Sequence, residues 1–437
     1  MYFKEPVYIL KNFIKNYALT VFFKEFYIKI TLYMNQSREF DVIVWGASGF
    51  TGRLVAEYLF KQYGTSGNLK WAMAGRNKEK LETIRREIAD SSVPIVIADG
   101  SDESSLKQMV RCTKVICTTV GPYAVYGSKL VAACVENKAY YCDLAGEVQW
   151  MRQMIDKHHE AAEANGVKIV HSCGFDSIPS DMGVYYIQRE AKAQKGQRAK
   201  KINMRVAAMK GGLSGGTYAS LSKVMEEAQQ DKNIYKILTN PYGLNPSELQ
   251  EGEDRPDLMS VVFDKTSQSW IGPFIMAGIN TKVVRRSNAL SNYSYGKDFR
   301  YDEATLNGKG YKGKIKGILA AIPLIFMTAK PKSVLKSIAN KLLPKPGEGP
   351  NKDQRENGFY NLRFYVTLED GSTAMGKVIG DKDPGYGSTS KILGETAVCL
   401  ALDKLPNING VLTPSIAMGD ALLERLEQSS GLTFSFK

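Results

Sequence analysis

Three glycines offer the first chemistry in the chain. Gly46, Gly49 and Gly52 stand in the stretch Gly46-Ala47-Ser48-Gly49-Phe50-Thr51-Gly52, directly after the apolar run Asp41 to Trp45. Strand, glycine turn and amphipathic helix together make a cradle for a pyrophosphate. Gly46 permits a tight turn, Gly49 lets the backbone approach the phosphates, and Gly52 lets the helix close on the strand. The helix N-terminus then offers free N–H groups and a partial positive charge. The helix is expected from about Thr51 to Tyr63, with Leu54, Val55, Tyr58 and Leu59 on one face. The spacing is G-x-x-G-x-x-G, not the commoner G-x-G-x-x-G. The plainer alternative is a strand–turn–helix with no ligand.

A second strand, Leu69 to Ala74, ends in Gly75-Arg76-Asn77. An acid near this position would bind a ribose 2′-OH, whereas a guanidinium suits a 2′-phosphate. NADP (NADPH) is therefore the expected cofactor, with Lys80 one helical turn on. The alternative is that Arg76 is a solvated turn residue. Asp99, after a third strand, is placed at the adenine edge or at the cap of the next helix.

Hydride transfer belongs to a cofactor, and the protein supplies orientation and a proton. Tyr123 and His171 are the candidate proton donors. Tyr123 lies in the loop Gly121-Pro122-Tyr123, which ends a fourth strand, and Pro122 stiffens that loop. Tyr126 is expected to be a packed loop aromatic. His171 follows a later strand and could act as acid or base near neutral pH, although a hydrogen-bonded structural histidine fits equally well. Cys173 would need a lowered pKa to act as a nucleophile. Asp143 and Glu147 could bind ribose or substrate hydroxyls or cap a helix. Ser177, Ser180 and Asp181 are explained by helix capping. Gly211 to Thr217 could hold an anion at a helix N-terminus, or be a capped turn.

The elements that carry these residues alternate. Helices are expected at Glu79–Ala89, Ser104–Val110, Gly127–Asn137 and Val148–Asn165, and strands at Val93–Ala98, Lys114–Val120, Ala139–Leu144 and Val167–His171. Such alternation implies a parallel sheet with helices on both faces and ligands at the C-terminal strand ends. Ile202–Met209 reads as a strand, and the later strands Ser260–Asp264, Asn361–Leu368 and Thr373–Ile379 suggest an antiparallel sheet of the kind that covers a substrate. Pro344–Asn357 reads as a mobile loop. The fold class is α/β: a Rossmann-type doubly wound parallel sheet with a second, inserted α+β domain. The expected divisions are 1–38 as an extension outside the fold, 39–180 as the nucleotide domain, 181–405 as the substrate domain, and 406–437 as a helix returning to the first.

The 437 residues carry 58 basic and 45 acidic side chains, a net charge of +13. Residues 41–175 are nearly neutral, with 16 Lys/Arg against 15 Asp/Glu, while residues 304–347 hold nine lysines and no acid. No nucleic-acid motif accompanies this excess, so no nucleic-acid partner is expected. Six scattered cysteines and three histidines argue against a disulfide framework and against a metal site. Gly317 to Ala329 is an uncharged run too short to span a bilayer as one helix. It is either a buried helix or a surface that dips into a membrane or lipid droplet, with the lysines meeting anionic head groups. Residues 1–33 contain ten Phe or Tyr. They fit neither a signal nor a transit peptide, and the folded protein is expected to begin near Met34.

The motifs together resemble the saccharopine dehydrogenase-like oxidoreductases, including the mycobacterial trans-acting enoyl reductases. The residues carrying the likeness are VWGASGFTGRLVAEYL (44–59), MAGRN (73–77), VGPYAVYG (120–127), YCDLAGE (141–147), GFDSIPSDMG (174–183), GGLSGGTYAS (211–220) and TPSIAMGDALLERL (413–426). The resemblance runs from about Glu39 to the C-terminus. It implies an NADP-type Rossmann domain, an inserted second domain, and hydride transfer to a lipid-linked enoyl or carbonyl substrate in lipid or glycolipid metabolism. For some members it implies membrane or lipid-droplet association. The expected location is cytoplasmic, with peripheral contact at the inner face of the plasma membrane, and a homodimer is left open. Two alternatives stand beside this reading. One is a non-catalytic nucleotide-binding protein of a lipid surface. The other is a soluble amino-acid dehydrogenase, which would need cationic side chains converging on the cleft.

Overall fold

The computed structural model describes residues 38–88, 92–211, 215–327 and 349–437. The expectations for residues 1–33 therefore lie outside the described residues, as does the part of the basic segment from 328 to 347. The first half alternates β1 (Phe40–Trp45), α1 (Phe50–Tyr63), β2 (Trp71–Gly75), α2 (Lys78–Ile88), β3 (Ile95–Ile97), α3 (Glu103–Arg111), β4 (Thr113–Thr118), α4 (Tyr123–Glu136), β5 (Tyr140–Cys142), α5 (Val148–Ala164) and β6 (Lys168–Val170). The second half comprises α6 (Ile178–Lys195), β7 (Ala199–Lys210), α7 (Gly215–Gln230), α8 (Lys232–Thr239), β8 (Val262–Asp264), β9 (Ser269–Gly272), α9 (Ala277–Leu290), β10 (Arg300–Gly308), α10 (Gly310–Met327), α11 (Lys352–Glu356), β11 (Phe359–Leu368), β12 (Thr373–Gly380), α12 (Thr389–Leu402), β13 (Gly410–Leu412), α13 (Pro414–Gln428) and β14 (Leu432–Phe436).

Two seven-stranded sheets result. The first has the order β13-β6-β5-β4-β1-β2-β3, and every pairing in it is parallel. All residues of β1 and β2 are buried, as expected of strands covered on both faces. The order reverses between β1 and β4, and that switch point is where such sheets bind ligands. The second sheet runs β14-β12-β11-β7-β10-β9-β8. Here the expectation of an antiparallel cover is corrected: β10 and β7 pair in parallel, so the sheet is mixed. In β11 the side chains of Tyr360, Leu362, Phe364, Val366 and Leu368 face inward at every second position.

Helix α6 leaves the first sheet and lies on the second. A Cβ at Gly183 would come within 2.7 Å of the Phe364 ring. The expectation that the residues at its start are explained by capping is corrected: Ser177 is the N-cap but makes no side-chain cap bond, and the side chains reach other elements. Ser177 donates to Asn280 of α9, whose amide donates to Ser180 and to Glu303. Asp181 accepts from Ser287 and from the Ser415 N–H. The segment after residue 406, expected to return as a helix, also adds β13 to the first sheet and β14 to the second. Within the expected loop Pro344–Asn357, residues 352–356 form a helix closed by a capping box between Asn351 and Gln354.

Candidate active site

The glycine turn has the shape that an anion requires. Gly46 has φ +90°, and a Cβ there would lie 2.5 Å from Val120 Cγ2. A Cβ at Gly52 would lie 2.2 Å from the Gly46 carbonyl oxygen, so helix and turn touch backbone to backbone. Gly49 is the N-cap of α1. No side chain caps it, and the first turn holds no acid. The Ala47 and Gly49 N–H groups are spent on the Ala74 and Gly46 carbonyls, so the turn offers an outside anion the Ser48 N–H and the uncapped N–H groups at the start of α1. Ser48 sits within 3.6 Å of where a Gly75 Cβ would be. Phe50 and Thr51 open the helix. Phe50 faces away into the second half of the chain, edge-on to Tyr386 at 4.7 Å and under the Arg355 guanidinium at 5.5 Å.

Arg76 and Asn77 are exposed after β2. Asn77 accepts from the Lys80 N–H at 2.9 Å and so caps α2. Asp99 is not the cap of α3, which is Asp102. Its carboxylate accepts from the N–H and hydroxyl of Ser101, and these bonds, with the nearby Arg76 as a lesser cause, hold it below the usual carboxylate range. Arg76 and Asp99 therefore share one edge of the crevice.

Gly121 and Pro122 follow β4, and Pro122 is the N-cap of α4. The helix starts at Tyr123, not at Gly127. That reverses the expectation for the two phenols: Tyr126 is 51% exposed and Tyr123 only 6%. Tyr123 stacks on Trp150 at 5.6 Å, donates to Thr118 O at 3.3 Å and accepts from the Leu144 N–H at 3.1 Å. Burial, reinforced by Asp143, pushes its phenol well up. Glu147 caps α4, the helix preceding it in the chain, through the N–H groups of Tyr123 and Ala124 at 2.8 and 2.9 Å. Ser220 of α7 also reaches Glu147, at 3.3 Å.

His171 is 2% exposed, edge-on to Trp150 at 4.9 Å, with Nδ1 2.7 Å from Asp143 Oδ2. Its Nε2 is buried with no partner among the described residues. Asp143 also accepts from the Tyr141 hydroxyl and from the N–H groups of Ala145 and Ser172. This web holds Ser172 at φ +60°, a conformation costly for a residue with a Cβ. Cys173 is buried, and burial pushes its thiol up, away from nucleophile chemistry.

The residue that sequence reasoning passed over is Asp176. It lies six residues past the end of β6, half-buried, where a Cβ at Gly174 would meet both its Oδ2 (3.1 Å) and Leu144 (2.6 Å). Burial, with Asp143 as a lesser cause, pushes its carboxyl up to about 7. Its signal in the sequence is the run Cys173-Gly174-Phe175-Asp176 past a parallel strand's C-terminal end, with His171 just before it. The next residue back is fixed from the other side, since the Phe175 N–H donates to Thr389 at 3.0 Å and its ring meets Tyr360 at 4.7 Å.

A dinucleotide on the turn after β1 leaves the ends of β4, β5 and β6 to the substrate, the division of labour of a nicotinamide-dependent oxidoreductase. Residues 42–170 match the saccharopine dehydrogenase NADP-binding domain. A candidate trans-acting enoyl reductase of Mycobacterium tuberculosis is 40% identical over 407 residues, 89% of this chain and 96% of that protein. The trans-acting enoyl reductase of Mycobacterium ulcerans is 36% identical over 411 residues, 90% of this chain and 96% of that one. The solved saccharopine dehydrogenase (L-Glu forming) of Saccharomyces cerevisiae shares the fold, with a TM-score of 0.50 at 13% identity over 91% of this chain and 99% of that one. The chain belongs to the saccharopine dehydrogenase-like oxidoreductase family together with these trans-acting enoyl reductases, and its cofactor is NADP(H).

Proposed function

We propose that the chain reduces the carbon–carbon double bond of an enoyl group on a lipid-linked acyl chain, within lipid or glycolipid metabolism. The name carried by relatives 35–40% identical over nearly the whole chain supports the reaction. The observation that carries the chemistry is Asp176, a half-buried carboxyl poised near 7 at the strand ends where the substrate is expected.

The turn from Gly46 to Gly52 holds the pyrophosphate, Gly75 to Asn77 borders the ribose, and the Arg76 guanidinium pairs with the 2′-phosphate. When bound, NADPH supplies a hydride, two electrons and one proton, to the β-carbon of the enoyl group. Negative charge then develops on the α-carbon and its carbonyl oxygen. Asp176 in its acid form gives its proton to the α-carbon, which completes the saturated bond. The carboxylate left behind recovers a proton from solvent, which its half exposure permits. Tyr123 and His171 act as positioning groups, not donors: their polar atoms hold Leu144, Thr118 and Asp143 around the acid.

The test offers NADPH with enoyl thioesters of increasing chain length, and separately with the matching ketones. Nicotinamide oxidation is read by absorbance, and NADPH binding is measured on its own. Faster oxidation with longer enoyl chains is expected. NADPH binding with oxidation only by ketones overturns the enoyl assignment. Binding with no oxidation by either class moves the non-catalytic reading to the front.

A further inference from the structure

Helix α10 is built inside out. The residues it turns toward the protein are glycines. Gly313 would carry a Cβ 2.2 Å from the Gly308 carbonyl oxygen, and Gly317 one 2.8 Å from Val261 and 2.9 Å from the Asn307 amide. The residues it turns outward are Tyr311, Ile315, Ile318, Leu319 and Ile322, and all of them are exposed. Tyr311 is 76% accessible, Ile318 50% and Leu319 59%. Positions i, i+4, i+7, i+8 and i+11 form one helical stripe, opposite the glycines. An ordinary surface helix of a globular domain has the reverse arrangement.

The stripe continues onto the neighbouring hairpin of β8 and β9. Phe263 is exposed and lies edge-on to Trp270 at 5.9 Å, and Lys314 sits over Trp270 at 5.2 Å. The charges on α10 have one sign, and the one acid of the β8–β9 hairpin, Asp264, is taken up by Arg205 and the Ser267 hydroxyl. Lys309, Lys312, Lys314 and Lys316 are exposed, the first turn of α10 has no acid, and residues 304–347 contain none at all. Exposed apolar rows are a liability in water and stable where the outer medium is apolar. Among the described residues no helix is long and apolar enough to cross a membrane.

We propose that α10 and the β8–β9 hairpin form a docking surface for an anionic lipid membrane, with α10 lying in the headgroup plane. Its outward row enters the acyl boundary while the lysines meet anionic head groups. Glycine on the inner face is what allows this. It seats the helix on backbone without spending apolar side chains inward. The inference does not depend on the enoyl reading, because its readout is partition, not turnover.

The experiment is co-sedimentation of the full chain with vesicles of phosphatidylcholine alone and of phosphatidylcholine with phosphatidylserine. Wild type should bind the mixed vesicles and bind the neutral ones at least about tenfold more weakly. Lys312→Glu with Lys316→Glu should remove most of that preference, at about fivefold per lysine. Ile318→Ser with Leu319→Ser should weaken binding to both vesicle types, and because these side chains are exposed the fold is kept. An NADPH titration on each variant checks this. No binding of wild type to mixed vesicles overturns the proposal. So does unchanged binding by both variants. Sedimentation of wild type as an oligomer that the serine variant turns into a monomer would assign the face to a second copy instead.

Discussion

At Gly52 an added Cβ would lie 2.2 Å from the carbonyl oxygen of Gly46, and at Gly313 it would lie 2.2 Å from the carbonyl oxygen of Gly308. Both turns begin with a left-handed glycine, φ +90° at Gly46 just after β1 and +102° at Gly308 at the end of β10, and both open a helix. The outer faces differ. Helix α1 shows water ion pairs of mixed sign, Arg53 with Glu87 and Lys61 with Glu57. Helix α10 shows water an apolar row among lysines. One packing device thus supports two different surfaces, and the outward residues decide the use. Gly308 to Gly313 even has the commoner G-x-G-x-x-G spacing, which the stretch 46–52 lacks, yet the matched NADP-binding domain covers 42–170. Spacing without its surroundings would point to the wrong turn.

The comparison breaks if damage to one turn crosses to the other. Gly52→Ala puts a Cβ into backbone that cannot step aside, so α1 must shift. It should remove measurable NADPH binding and cost about 1–3 kcal/mol in denaturant unfolding. Gly313→Ala makes the same clash at α10, and should leave the NADPH dissociation constant within about twofold while it lowers vesicle partition. Loss of NADPH binding in the Gly313 variant would mean that the two turns are coupled.

Asp176 tests the first-sheet side of the comparison alone. Asp176→Asn should lower turnover by about 100-fold with NADPH affinity and vesicle partition unchanged. Turnover of wild type should fall as pH rises through about 7, since the acid form is the donor. The stability sign follows from the same shift. The folded-state pKa is raised above the unfolded one, so the folded protein holds the proton more tightly. Stability contributed by this group is greatest below about 4 and is lost as pH rises to about 7. The asparagine variant should match wild type near pH 4 and be the more stable of the two above pH 7, by urea midpoint.

What the sequence made legible follows periodicity. The first sheet was readable because its strands are short apolar runs and its helices are amphipathic, as in Phe40–Trp45 and Lys78–Ile88. Helix α9 was not, because its inner face is polar. Asn280, Thr281, Lys282, Arg285 and Arg286 are buried and held by partners far off in the chain, such as Asp254 for Arg285 and Val411 O for Arg286. Strand β13 is only three residues long, while Leu432, Phe434 and Phe436 of β14 alternate inward, a period-2 signal that the expectation of a returning helix did not use. The glycine turn and Arg76 could be read as a local motif. Asp176 could not, because its importance comes from burial beside Leu144 and Asp143, neither of which is near it in sequence. The exchange of roles between Tyr123 and Tyr126 has a similar origin, since it depends on α4 starting four residues before the expected Gly127.

Arg76 offers a smaller effect on the α1 side of the comparison. Arg76→Ala should weaken NADPH by about tenfold or somewhat more, the worth of one charge-assisted contact, and leave NADH nearly unchanged. Equal losses for both cofactors would place the guanidinium away from the 2′-phosphate. Fluorescence titration with the two nucleotides separates these outcomes.

The smallest change expected is at Tyr123, and it tests which group is the acid. Tyr123→Phe keeps the ring on Trp150 and removes only the hydroxyl between the Leu144 N–H and Thr118 O. A buried donor loses its acceptor, so stability should drop by about 1–2 kcal/mol. If the phenol is a positioning group, turnover should stay within about threefold and the fall with pH near 7 should remain, because Asp176 is intact. A loss near 100-fold with that pH profile abolished would return the donor role to the phenol. Asp176 would then be a buried carboxyl whose raised pKa serves no chemistry, and the α1 side of the molecule would owe its proton to the helix that Glu147 caps.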